Sequence, residues 1–194
     1  MNKDSLAIAV VAALITLGLA ACSEPDRPAN PQAPTTPGTA GAPAPQPAAP
    51  VGVAPAEIQL DERKLPLKPA KRCNLERANG TVFSGTPIEV SKSVPVLKFS
   101  GWVANSDSSS IPTDAHIRMV SIDDNRAWKV PFKTGGSRED VVELLGGDTA
   151  FANAGYSVNV DISNLPAGTY RLYAVFQEGG SLQACDNGRS VAVR

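Results

Sequence analysis

From about residue 94 onward, apolar and polar side chains alternate with a period of two. Tyr156, Val158, Val160 and Ile162 fall on one face of an extended chain, and Ser157, Asn159 and Asp161 on the other, which predicts a half-buried strand. Trp128, Val130 and Phe132 alternate in the same way with Ala127, Lys129, Pro131 and Lys133, and Val191 and Val193 share one side of Arg189 to Arg194. Further strands are predicted at Val94 to Ala104, His116 to Ile122, Tyr170 to Gln177 and Ser181 to Cys185. Asp123-Asp124-Asn125, Gly135-Gly136, Pro166-Ala167-Gly168, Gly179-Gly180 and Asp186-Asn187-Gly188 punctuate them as turns. The last of these reads as a tight hairpin connection, because Asn and Gly tolerate positive φ. Helical patterning is confined to one turn near Glu139 to Leu145. Short strands at regular spacing with glycine between them predict an all-β, antiparallel sandwich.

The other end of the chain follows different rules. Lys3 precedes an apolar run from Leu6 to Leu19 that is too short to span a bilayer, with Asp4 diluting the basic start. Leu19-Ala20-Ala21-Cys22 closes the run and resembles the lipobox of bacterial lipoproteins. That resemblance implies a signal peptide over residues 1–21, removed before Cys22, and Cys22 carrying acyl chains such as palmitate. Several such chains hold a protein firmly on a membrane. Ser23, where lipoproteins kept at the inner membrane often have Asp, implies an outer-membrane lipoprotein, at its periplasmic face or on the cell surface.

Residues 22–57 read as a lipidated terminus and a Pro/Ala-rich linker. Ten of the seventeen prolines lie there, with no large core-forming side chain before Ile58. A segment so composed cannot bury enough apolar surface to offset its ordering entropy, so a disordered spacer is expected, with a stretched length of about 100 Å. Proline also recurs at Pro25, Pro28, Pro31, Pro34 and Pro37, as in proline-rich ligands, but with Arg27 as the one accompanying cation.

Residues 58–194 then form a single domain with room for one core. A net charge of −1 directs no long-range field towards nucleic acid. The basic cluster Arg63-Lys64, Lys68 and Lys71-Arg72 is offset by Asp61-Glu62 and Glu76 and reads as a solvated entry segment. With Cys22 taken by lipid, Cys73 and Cys185 are the one pair left for a disulfide in an oxidising compartment. Their bridge would tie the entry segment to the last strands and contribute about 4 to 5 kcal/mol in the chain-entropy model.

Leu165-Pro166-Ala167-Gly168-Thr169-Tyr170, followed by alternating Leu172, Ala174 and Phe176, resembles the loop-to-strand corner of immunoglobulin-like sandwiches. The resemblance implies that the Tyr170 hydroxyl bonds back to the preceding loop. Leu172 stands where the second cysteine of an antibody domain would be, so that disulfide is absent. Gly101-Trp102, Arg138-Glu139-Asp140-Val141 and Ala154-Gly155-Tyr156 resemble sandwich modules of bacterial envelope and glycan-handling proteins. The fold by itself carries no function.

Candidate chemistry is sparse. His116, the single histidine, follows Ser108, Ser109, Ser110 and Asp114, yet no Gly-x-Ser-x-Gly elbow presents a nucleophile. No cofactor or metal is expected: zinc spacing is absent, and Asp123-Asp124-Asn125 would need Asp148 and Asp186 to converge on it to hold calcium. Glu139, Asp140 and Glu143 are the carboxylates open to acid–base work on a glycan, although Arg138 and Asp140 also read as an ion pair or a helix cap. Trp128 is expected in the core. If alternation holds from Leu97, Trp102 faces outward as a stacking platform, unless Gly101 marks a bulge that turns it inward. Tyr173, sharing its face with Arg171 and Gln177, is the second candidate for an exposed aromatic.

The expected protein is therefore a membrane-anchored envelope lipoprotein presenting a non-catalytic interaction module, not an enzyme. Trp102, Tyr173 and Arg138 are its candidate binding residues, for an envelope protein or a glycan and not for nucleic acid. The alternatives are an enzyme acting on cell wall or polysaccharide, and an inhibitor of lysozyme-type enzymes.

Overall fold

The structure, a computed structural model, describes residues 51–194. The expected leader at 1–21, Cys22 and the expected linker as far as residue 50 lie outside the described residues. The elements in chain order are β1 (Ala56–Glu57), α1 (Leu60–Arg63), β2 (Leu67–Pro69), β3 (Cys73–Ala78), β4 (Thr81–Val82), β5 (Ile88–Val90), β6 (Val96–Val103), β7 (Ala115–Ser121), β8 (Ala127–Phe132), β9 (Thr134–Gly136), α2 (Glu139–Leu144), a 3-10 turn (Thr149–Phe151), β10 (Gly155–Asp161), β11 (Gly168–Glu178) and β12 (Ser181–Val193).

They form two sheets. One runs β1-β8-β7-β11-β12-β2, with β5 also on β12, and the other β4-β3-β6-β10-β9. With β3, β6, β10 and β9 as strands A, B, E and D, and β7, β11 and β12 as C, F and G, this is the immunoglobulin-like arrangement, β8 being the added C′ strand. All pairings are antiparallel except those of β2 and β5 with β12 and a bridge from Val53 to Val160. Alternation decides what is buried between the sheets. Leu97 and Phe99 of β6, Ile117 and Met119 of β7, Val130 of β8, Val158 and Val160 of β10, and Leu172 and Phe176 of β11 join one core. Trp128 lies in it as well, edge-on to Tyr170 at 5.5 Å, and the Tyr170 hydroxyl donates to the Pro166 carbonyl at 2.6 Å, the corner bond that the sequence implies. Leu172 is core, and the disulfide runs instead from Cys73 to Cys185, joining β3 of one sheet to β12 of the other.

Two expectations change. Asp186-Asn187-Gly188 is no hairpin connection: β12 is continuous, and its register on β11 jumps from Ala174↔Cys185 to Leu172↔Arg189. The three residues form a bulge opposite Tyr173. Gly188 supplies a φ of 66° there, and Asn187 accepts a hydrogen bond from the Leu75 backbone N–H of the facing sheet. Turn chemistry and bulge chemistry ask for the same residues. The ordered domain also begins before Ile58. Val53 exchanges backbone bonds with Asn159 and Asp161, and Ala56 and Glu57 pair with Lys129 and Trp128. Backbone pairing needs no large side chain, so composition gave no sign of it.

From β1 on the edge strand β8, the chain crosses the outer face of the larger sheet through α1 and reaches β12 as β2. This strap is tied to that face by Lys129 to Glu62 at 2.6 Å and by Arg118 to the Arg63 carbonyl at 3.3 Å.

Candidate functional site

Trp102 points away from the main core, as alternation predicts, but it is no exposed platform. Val141 of α2, Phe151 of the 3-10 turn, Ala104 and Ala154 close over it in a second, smaller cluster, leaving it 6% exposed. The covering comes from a segment that the pattern of β6 does not contain.

Arg138 directly precedes α2 and its guanidinium is already occupied. It forks onto Glu76 at 2.8 and 3.0 Å and onto Asp140 at 2.7 and 2.8 Å. The bond with Asp140, then that with Glu76, holds Arg138 firmly protonated, and Arg138 in turn draws the Asp140 carboxyl below its usual range. Glu76 reaches it from a bulge, being the extra residue between the Leu75↔Gly101 and Arg77↔Ser100 pairs. Arg138 also lies over Gly155, where a Cβ would meet its Cγ at 2.9 Å. Gly101-Trp102 and Gly155-Tyr156, which the sequence groups with Arg138, are in fact cross-strand partners beside it. Of the carboxylates considered for acid–base work, Glu139, Asp140 and Glu143 are all exposed.

Tyr173 lies elsewhere, on β11 at the outer face of the larger sheet, so it shares no patch with Trp102 and Arg138. It is half-buried, in register with Arg118 of β7, and Arg171 lies over its ring at 5.5 Å while bonding Asp186 of the bulge. Burial raises its hydroxyl above the ordinary phenol range. Tyr173, Arg118, Val120 and Ala184, together with Leu67 and Pro69 of the strap, enclose a pocket of about 350 Å³, with Lys68 and Asp186 also lining it. Arg118 is the residue that sequence reasoning missed. It sits on the same face as His116 and Val120 and reads as an ordinary polar strand position, whereas the strap covers it to 8% exposure.

A larger opening of about 1030 Å³ lies at the side of the sandwich, between the edges of β8 and β10, with Phe132, Val158 and Phe176 among its lining and Val53 to Ala56 along one rim. His116 reaches it. Burial, aided by the charge of Lys129, lowers the His116 pKa to about 4, so the imidazole is neutral near pH 7. Ser110 shares a hydrogen bond with the Ser108 hydroxyl and accepts another from the Asn105 side-chain amide. The possible calcium ligands do not converge: Asp148 caps the 3-10 turn, Asp186 holds Arg171, and Asp124 accepts from the Arg126 backbone. Among the described residues, no group of His, Cys, Asp and Glu is placed to hold a metal ion, and no helix is long and apolar enough to cross a membrane.

Neither the family models nor the curated proteins compared with the chain match it.

Proposed function

We propose that this is an outer-membrane lipoprotein, held by acyl chains on Cys22, whose immunoglobulin-like sandwich is a non-catalytic module that binds an envelope protein or glycan. The pocket where Tyr173 meets the buried Arg118 carries the reading. A concave site with an aromatic wall and a desolvated cation suits recognition. The acid–base alternative has less behind it, since Asp140 is bound to Arg138 and Glu139 and Glu143 stand in solvent. Leu19 to Cys22 support the anchor, and the Pro/Ala-rich run supports a spacer between membrane and module.

Two measurements test this. Mass spectrometry of the native protein is expected to find acylated Cys22 as the first residue; an intact leader with an unmodified thiol overturns the anchoring. Photo-crosslinkers placed at Lys68 and, as a control, at exposed Val82 of β4 on the other sheet are expected in living cells to give a discrete adduct with an envelope protein or glycan from Lys68 alone. Equal adducts from both, or none, overturn the assignment of the pocket.

A further inference from the structure

Arg118 is a buried cation without a counter-ion. Its guanidinium makes one bond among the described residues, from Nη2 to the Arg63 carbonyl at 3.3 Å, and its Nε is enclosed with no partner at all. The carboxylates nearby are committed elsewhere: Glu62 bonds Lys129 at 2.6 Å, and Asp186 bonds Arg171. Burial accordingly disfavours the charged form of Arg118, opposed chiefly by the more distant Glu62. A guanidinium stays charged at any ordinary pH, and a desolvated charge with most of its donors unused is costly to fold around.

We infer that Arg118 is the anchor of a ligand site taking a carboxylate, and that the ligand is an acidic sugar, the carboxylate of a hexuronic acid ring pairing with the free donors of Arg118. This rests on the proposed binding role and names its chemistry. The fork of donors on a guanidinium matches a planar carboxylate. Half-buried Tyr173 gives the pocket an aromatic wall, and Lys68 brings a donor to the lining for ring hydroxyls. A volume of about 350 Å³ lies at the small end of ligand sites and suits a single ring better than a run of peptide. With Arg171 and Asp186 cancelling, Arg118 and Lys68 leave the pocket positive.

The test is calorimetric titration of the full-length protein with digalacturonate, with the neutral disaccharide lactose, with an acidic peptide bearing a free C-terminal carboxylate, and with inorganic phosphate. Each is accompanied by thermal melts. Digalacturonate is expected to bind and to raise the melting temperature, while lactose does neither. Arg118→Met is expected to weaken binding by about 30-fold or more while leaving the melting temperature unchanged or higher, since it removes an unpaired buried charge. Arg118→Lys is expected to restore part of the binding. Preference for the peptide or for phosphate overturns the sugar assignment, as does lactose binding equally well. A lower melting temperature for Arg118→Met with digalacturonate binding intact shows that Arg118 serves only to hold the strap, and also overturns it. Failure of digalacturonate alongside a crosslinked envelope protein at Lys68 would remove this inference and leave the proposed function standing.

Discussion

Removing the Cys73–Cys185 bridge tests how the domain is held together. The cysteines are 112 residues apart, so in the chain-entropy model the bridge contributes about 4.7 kcal/mol by restricting the unfolded chain. That is a large part of the roughly 5 to 15 kcal/mol that stabilises an ordinary domain. In the Cys73→Ala/Cys185→Ala double variant both side chains are small and lie in the core, so the cavity left is minor. A loss of about 4 to 5 kcal/mol should lower the melting temperature by about 10 to 20 °C in a domain of this size. Urea unfolding of both proteins separates mechanisms. A constraint on the unfolded state predicts a steeper denaturant dependence for the variant, because its unfolded chain expands further and exposes more surface. With Cys185 only 1% exposed, a thiol reductant should act slowly on the native protein. A stability loss of under about 1 kcal/mol refutes the reasoning. So does an equal slope in the two proteins, which would assign the contribution to native contacts.

Tyr170→Phe deletes the corner bond and should lower stability by about 1 to 2 kcal/mol in a urea titration; an unchanged midpoint would make that bond irrelevant. Trp102→Ala should cost about 3 to 5 kcal/mol and unsettle α2, seen as faster hydrogen exchange at Val141 and Val142, whereas a neutral effect would return Trp102 to the surface. His116 should titrate near pH 4 in an NMR experiment, because burial holds the native imidazole neutral. Its unfolded pKa is higher, near 6.5, so protons bind preferentially to the unfolded chain and stability falls as pH drops from about 6.5 towards 4. His116→Gln should flatten stability over that window, and a native pKa near 6.5 would contradict the burial argument.

Alternation was enough to find β6, β7, β8, β10 and β11 and to divide their faces, because burial between two sheets imposes a period of two. The Leu165 to Tyr170 corner and the cysteine pairing were legible for equally local reasons. Trp102 shows the limit of such signals: alternation tells which face of a sheet a side chain takes, not what crosses above it. Arg118 fails in the same way, since its surroundings come from the strap, about fifty residues earlier in the chain. The bond between Arg138 and Asp140 could be read from neighbouring positions, but Glu76 enters through a bulge 62 residues away that leaves no mark in composition. Asp186 to Gly188 carried the right conformational signal attached to the wrong structure.

The route by which the chain enters the sandwich gives it a mechanical order of failure. A pull from the N-terminal side first meets the Val53 bridge and β1, then the strap and the short parallel pairing of β2. At Cys73 the load passes through a covalent bond into β12 on the opposite sheet. The stretch from Val51 to Arg72 can therefore be drawn out to a length of about 70 Å as a shock absorber while the two sheets stay intact. The strap over Arg118 would be the part that peels away, so tension from the N-terminal side would strip Leu67 and Pro69 from the pocket and bare the sheet face beneath.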